Sequence, residues 1–499
     1  MLALLASPGC VRPIPIASPA PRATVTPALA QGAPVFAGKP PAHLVVEGRP
    51  LDVDPDGNAR WLVRAHFLDA QGAPTELLSG GDVAFVPSRG SAQWQTRLRF
   101  GGPAAIVSVD RDGPLGARVS AAVGAHVPPV SLVTDTTTWP VPRLVARALG
   151  PHEVALGWFP RIDGAPVRIV RSEGSSQVGT SVAAPCSGFR DTTVTPGTSY
   201  RYEIALPGRD PVALDVATPR EPDSGSLEAF AGKGMWLSFS PSTLDGDGYD
   251  KLDPAAMLAQ ARAAGLHSIV LRTTYGPFEE IAPAAKATID ALIDGATARR
   301  IAMIAWTVPR STSFEDIAAE VDAASYKTPA GNGFDALAVD LERGEYFLGS
   351  GSSGYAALAS YMRELRAALG PNYPLVATVE DPNLEHLSRA AYPYDAIAAS
   401  ADALQPMIYW RMASTAATPQ SVRAAVHASY DATLREAGRR LPIVAGLQSG
   451  DYPPRGAPQP DEIVASVRAA RESGAFGVTF FDWSATPPSA WKALAQTSW

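Results

Sequence analysis

The chain has 499 residues, too many for one hydrophobic core and enough for about three domains. Its net charge of -7, with no basic stripe, excludes a nucleic-acid partner read through clustered Lys and Arg. Two cysteines, Cys10 and Cys186, exclude a disulfide framework, and seven scattered histidines without a metal-binding spacing argue against a zinc site or any other cofactor. No apolar run of about 18 residues occurs, so no membrane span is expected.

The first ten residues, ending Ser7-Pro8-Gly9-Cys10, resemble the end of a bacterial lipoprotein signal, in which the cysteine is lipidated. A meaningless N-terminal scrap is the equally open alternative. Residues 11–41 are rich in Pro and Ala and read as an extended tether, so residues 1–41 are not counted as a folded domain. A leader and tether together point to an exported protein, extracellular or on a bacterial cell surface, with a lipid anchor at Cys10 in the lipoprotein case. The sequence carries no sign of oligomeric state.

Residues 42–135 hold short alternating runs at Trp61–Phe67, Asp82–Val86, Trp94–Phe100, Ala104–Val109 and Ala117–Val123, separated by turn clusters such as 69–74. That spacing predicts a β-sandwich and resembles bacterial immunoglobulin-like modules. A second sandwich is expected over residues 136–220. There His152–Trp158 resembles the fibronectin type III strand that carries the core Trp, and Thr193–Ile204 resembles the strand that opens with its tyrosine corner at Tyr200. Pro222–Ser226 reads as a linker.

Residues 226–499 alternate apolar runs with helical text eight times, which predicts a (β/α)8 barrel. Strands are expected at Gly234–Ser240, Ser268–Tyr275, Ala302–Pro309, Ala336–Glu342, Pro374–Val379, Leu404–Trp410, Pro442–Leu447 and Gly477–Trp483. Asp253-Pro254 supplies an N-cap and a first-turn proline, and Gly265 stops that helix. Tyr355–Leu369 and Ser421–Ala437 have helical spacing. The whole reads as a multidomain chain, two all-β sandwiches followed by a TIM barrel.

Strand four carries the chemistry. Side chains alternate with a period of two, so Leu337, Val339 and Leu341 share the face expected under the helices. Asp340 and Glu342 then point into the barrel at its carboxyl end, where such barrels keep their active sites. The bland alternative is a carboxylate pair held by Arg or backbone donors. Asp335-Ala-Leu-Ala338-Val-Asp340-Leu-Glu342 resembles the DxxDxDxE signature of glycoside hydrolase family 18, the chitinases and their relatives, with Ala338 replacing the middle Asp. The resemblance implies that Glu342 is the general acid and that Asp340 orients an N-acetyl group whose carbonyl attacks the anomeric carbon. The like charge of Asp340 is expected to help Glu342 keep its proton.

Leu404-Gln405-Pro-Met407-Ile-Tyr409-Trp410 resembles the Met-x-Tyr-Asp segment of that family, with Trp410 in place of the Asp. Gln405, Met407 and Tyr409 share one face, and a core Tyr and Met are the plain alternative. Gly477–Ser484 resembles the last strand of the family, whose Trp, here Trp483, floors the sugar site. Trp306, Trp410 and Trp483 are candidate sugar platforms, with a core role as the alternative for each. Glu380, Asp451 and Asp482 are candidates for a second acid in a two-carboxylate mechanism. The expected partner is a carbohydrate polymer such as chitin or peptidoglycan, and a non-catalytic glycan-binding or adhesion protein is the rival reading.

Three weaker patterns carry little. Gly349–Gly354 fits GxGxxG without a strand running into it. Asp52–Asn58 imitates half a calcium loop but has Val63 at position twelve, and Asp245–Gly248 reads as a loop.

Overall fold

The computed structural model describes residues 35–37, 42–53, 59–79, 83–87, 91–98, 102–109, 119–123, 144–220, 225–238, 252–275, 278–279, 285–309, 314–342, 352–413, 417–451 and 455–499, with Lys39 and Ile281. The leader with Cys10, most of the tether, the turn at 54–58, the Asp245–Gly248 loop and residues 349–351 of the Gly/Ser segment lie outside them. The chain divides into two compact units, Met1–Thr218 and Pro219–Trp499.

In the first unit, Val35–Ala37, His43–Val53, Ala59–Leu68, Pro74–Ser79, Ser91–Leu98 and Gly102–Val109 form one sheet, and Val83–Pro87 pairs with Val119–Val123. Further along, Cys186–Asp191, Glu153–Ile162 and Leu144–Gly150 make a three-stranded sheet. Ser176–Val182, Val167–Glu173, Ser199–Ala205 and Val212–Ala217 make a four-stranded one. Val154, Leu156 and Trp158 of the former share one core with Ile169, Tyr202 and Ile204 of the latter. Trp158 is fully buried and donates to the Cys186 carbonyl at 3.0 Å. Tyr200 Oη accepts from the Thr195 amide at 2.7 Å, which fixes the corner ahead of its strand. Both aromatics are therefore spent on structure.

In the second unit, β1 (Gly232–Leu237), β2 (Ser268–Tyr275), β3 (Ala302–Val308), β4 (Ala336–Leu341), β5 (Leu375–Val379), β6 (Ala403–Ile408), β7 (Val444–Gln448) and β8 (Gly477–Phe481) pair in parallel. Pairing of β1 with both β2 and β8 closes the barrel. Between and after the strands run α1 (Pro254–Ala263), α2 (Lys286–Ala298), α3 (Phe314–Ala324), α4 (Ser352–Leu369), α5 (Tyr394–Ser400), the short α6 (Trp410–Ala413), α7 (Pro419–Ala437), α8 (Pro460–Ser473) and α9 (Pro488–Ala495). Local chemistry sets their ends. The Asp253 side chain accepts from the Ala256 amide, Pro254 opens α1, and Gly265 takes a φ of 65° beyond its end. Thr418 and Ser421 form a capping box at the start of α7.

The strands are buried on both faces, as a helix-wrapped parallel sheet requires. Met235, Leu237, Met303, Leu337, Val339, Leu341, Ala377, Val379 and Leu447 pack outward with helix residues such as Leu358, Met362, Val426 and Val467. Trp236, Val270, Ile304, Trp306, Ala338, Val376, Ala403 and Val444 fill the interior. Layers from alternate strands stack up this interior. Gln405 bridges β5 and β8 within it, accepting from Thr378 Oγ1 at 2.8 Å and donating to Thr479 Oγ1 at 2.9 Å.

Candidate active site

Period-two alternation within β4 puts Ala336, Ala338 and Asp340 inward, and the structure follows it. Ala338 lies directly beside Trp306 in the β3–β4 register, so the small side chain leaves room for the indole. An Asp at this position would be desolvated among Trp236, Val270 and Ile304.

Asp340 is 6% exposed, and its Oδ2 accepts the Trp306 indole N–H at 3.2 Å. Oδ1 is buried and takes no hydrogen bond from the described residues. Burial is the largest influence on this carboxyl and pushes it well above the usual range. The negative charges of Glu342 and Glu380 push the same way, against the Trp306 N–H and the Arg272 guanidinium. Asp340 is the more deeply buried of the two, while Glu342 stands half-buried just beyond β4.

Glu380 follows β5 directly and is half-buried; it continues the inward face of Val376 and Thr378. Arg272, from β2, is 8% exposed and lies over the Trp306 ring at 5.5 Å. Around them the aromatics interlock. Trp236 lies 6.3 Å from Trp306 and 5.8 Å from Phe481, and Phe481 lies 6.0 Å from Trp306 and 5.7 Å from Tyr409. Gly446 makes room for Trp236, since a Cβ there would stand 3.0 Å from the indole and 2.8 Å from the Pro406 carbonyl oxygen.

Asp340, Glu342, Glu380, Trp306 and Tyr409 therefore gather at the carboxyl end of the lumen. Trp306 does so as a buried donor to Asp340, 4% exposed, instead of an open sugar platform. Met407 is a half-buried residue of β6 two places on from Gln405. Gln405 is fully buried with its amide engaged at both ends, which makes it part of the floor.

Four other candidates sit elsewhere. Trp410 faces outward, one residue out of phase with Tyr409, and donates to Glu462 of α8 at 2.8 Å. Trp483 lies past the end of β8, where strand alternation stops, and packs edge-to-face against Trp491 of α9 at 4.8 Å. Asp482 is buried, accepting from Ser238, Ser484 and the Ala485 amide, and so ties the end of β1 to the turn after β8. Asp451 is exposed.

Sequence reasoning missed Trp236, Arg272 and Phe481. Arg272 had a signal, a lone charge directly after the apolar Ile269–Leu271 run and in phase with Val270. Trp236 and Phe481 had none beyond phase, because an inward aromatic in a barrel is ordinarily core. Among the described residues no three His, Cys, Asp or Glu side chains are grouped to hold a metal, and no helix is long and apolar enough to cross a membrane.

No protein-family model matches the chain, and no curated protein matches it. Among solved structures it is similar to a chitinase of Chromobacterium violaceum ATCC 12472, at 14% identity and a TM-score of 0.39, over 53% of this chain and 98% of that one. It is similar also to the spore cortex-lytic enzyme SleL of Bacillus cereus, at 11% identity and a TM-score of 0.38, over 57% and 77% of the two chains. A β-D-glucuronidase of Dictyoglomus thermophilum is likewise 11% identical with a TM-score of 0.38, over 88% of this chain and 90% of that one.

Proposed function

We propose that the barrel is a glycoside hydrolase acting on a polymer whose sugars carry N-acetyl groups. The supporting observation is the convergence of Asp340, Glu342 and Glu380 on one lumen end, against a wall of Trp306, Trp236, Phe481 and Tyr409. Acids so placed are costly to desolvate and add nothing to packing. In this reading Glu342 gives its proton to the glycosidic oxygen as that bond breaks. The acetamido carbonyl oxygen bonds to the anomeric carbon, and Asp340 Oδ1 accepts the acetamido N–H. Water then opens the cyclic intermediate, its proton returning to Glu342. The two pairs of sheets ahead of the barrel are β-sandwich modules in this reading, carried by an exported protein.

The test is release of reducing ends from chitin, peptidoglycan and their soluble oligosaccharides. Glu342→Gln keeps the shape but has no proton to deliver, so turnover should fall by about 100- to 10,000-fold with glycan binding retained. A wild-type protein that binds a glycan, leaves it intact and is matched by Glu342→Gln would establish the binding-protein reading instead. Ala338 is the feature that favours that reading.

A further inference from the structure

The last rung between β4 and β5 pairs Leu341 with Val379, so Glu342 and Glu380 each stand one residue past that rung on adjoining strand ends. Neighbouring strands lie about 4.8 Å apart, which brings the two acids side by side. A backbone carbonyl at a strand end needs a donor. Two tyrosines from the segment entering α5 supply it. Tyr392 Oη donates to the Leu341 carbonyl at 2.7 Å, and Tyr394 Oη donates to the Glu380 carbonyl at 3.0 Å. These are the peptide planes leading out of Leu341 into Glu342 and out of Glu380 into Asp381. The two rings pack at 4.7 Å, and both residues are at most 1% exposed within the outer core. One rigid aromatic pair thus holds the backbone of both glutamates at once.

We propose that Glu380 belongs to the working carboxylates of the site, acting through its charge on the Asp340–Glu342 pair, and that Tyr392 and Tyr394 are positioning residues that fix the two strand ends carrying the glutamates. The inference rests on the hydrolase reading. Ala338 leaves Asp340 without an acid beneath it, and Glu380 brings a carboxylate from the side instead. Its negative charge opposes ionisation of the neighbouring acids and so keeps a deliverable proton in the cluster to higher pH. Among the described residues the charged groups acting on Asp340 are Glu342 beyond β4, Glu380 beyond β5 and Arg272 on β2, with the Trp306 N–H from β3. Removing one negative charge leaves the balance further toward Arg272.

The experiment is the pH profile of kcat/KM in the full chain. Glu380→Gln should move the basic limb to lower pH by roughly one unit, a shift that a merely structural side chain would not produce. Tyr392→Phe and Tyr394→Phe keep the packed rings and lose one hydroxyl each, so kcat should fall about tenfold or more with KM nearly unchanged. A Glu380→Gln profile superimposed on that of the wild type overturns the role of Glu380, and Phe variants with wild-type kcat overturn the clamp. A readout that needs no turnover separates this from failure of the hydrolase reading. The part of the tryptophan emission that titrates with pH and vanishes in Trp306→Phe reports Asp340, and its midpoint should drop in Glu380→Gln. An unmoved midpoint overturns the inference even if the protein cleaves no glycan.

Discussion

Asp340 concentrates the conflict between stability and chemistry in one side chain. Its carboxyl is pushed well above the ordinary range, by burial first and then by Glu342, against the Trp306 N–H, with Glu380 raising it and Arg272 lowering it. The folded chain therefore holds this proton at pH values where the unfolded chain, titrating near about 4, has lost it. Stability from this group is full at low pH and declines as pH rises from about 4 through the raised folded value. Asp340→Asn is neutral at every pH and keeps an oxygen for the Trp306 N–H. The variant should melt a few degrees higher than wild type near pH 8, the gap should close below about pH 4, and turnover should fall. A melting-temperature difference constant across that range would disprove the burial account. The inward phase of Asp340 was legible because β4 is a regular strand with three large aliphatics on the opposite face. The bond from Trp306 was not legible, since it depends on the β3–β4 register, which no single strand encodes.

At the scale of elements, the segment after β6 shows how the barrel exterior holds the lumen in place. Arg411 pairs with Glu462 of α8 at 2.5 Å, and Trp410 donates to the same carboxylate. The Arg411 amide in turn bonds Gln448 Oε1 at the end of β7 at 3.3 Å. Both members of the ion pair are at least nine-tenths buried. Glu462→Ala strands a guanidinium and an indole N–H in the core and should cost about 3–5 kcal/mol in a urea melt. The double variant Arg411→Met/Glu462→Leu removes both charges together and should cost markedly less. Equal losses in the two would contradict the claim that the stranded charge is what destabilises. The eight strands and the helices α1, α4 and α7 were readable because these runs carry their own periodicity, and α1 and α7 their own caps. The side of Trp410 was not, because β6 ends at Ile408 and Trp410 already belongs to α6. Nor was the side of Trp483, because alternation predicts nothing once the strand ends at Phe481.

At the scale of the molecule, each core is assembled from its own stretch of sequence. Among the described residues, the core beneath Trp158 is made of residues between Leu144 and Val216. The two layers of the barrel are likewise made, among the described residues, of residues from Leu227 onward. Closure of β1 against β2 and β8 pairs both edges of the eight parallel strands within the unit, and a unit of this size buries enough apolar surface to fold alone. Lys233 supports the same conclusion from the base of the barrel. Its buried ammonium, pushed down to about 8 by desolvation, donates to the Ala264, Leu494 and Thr497 carbonyls. The first strand is thereby tied to the last helix within one unit. A chain shortened to residues 219–499 should melt in one cooperative transition and keep the full chain's kcat/KM on soluble oligosaccharides. In the hydrolase reading proposed above, a first unit that takes no part in the chemistry is expected to matter only on an insoluble polymer, by attachment to it. Two assays of the shortened chain, one soluble and one insoluble, decide the matter. Loss on both with the melt intact would mean that the first unit takes part in the chemistry, and equal retention on both would mean that it does not serve attachment to that polymer.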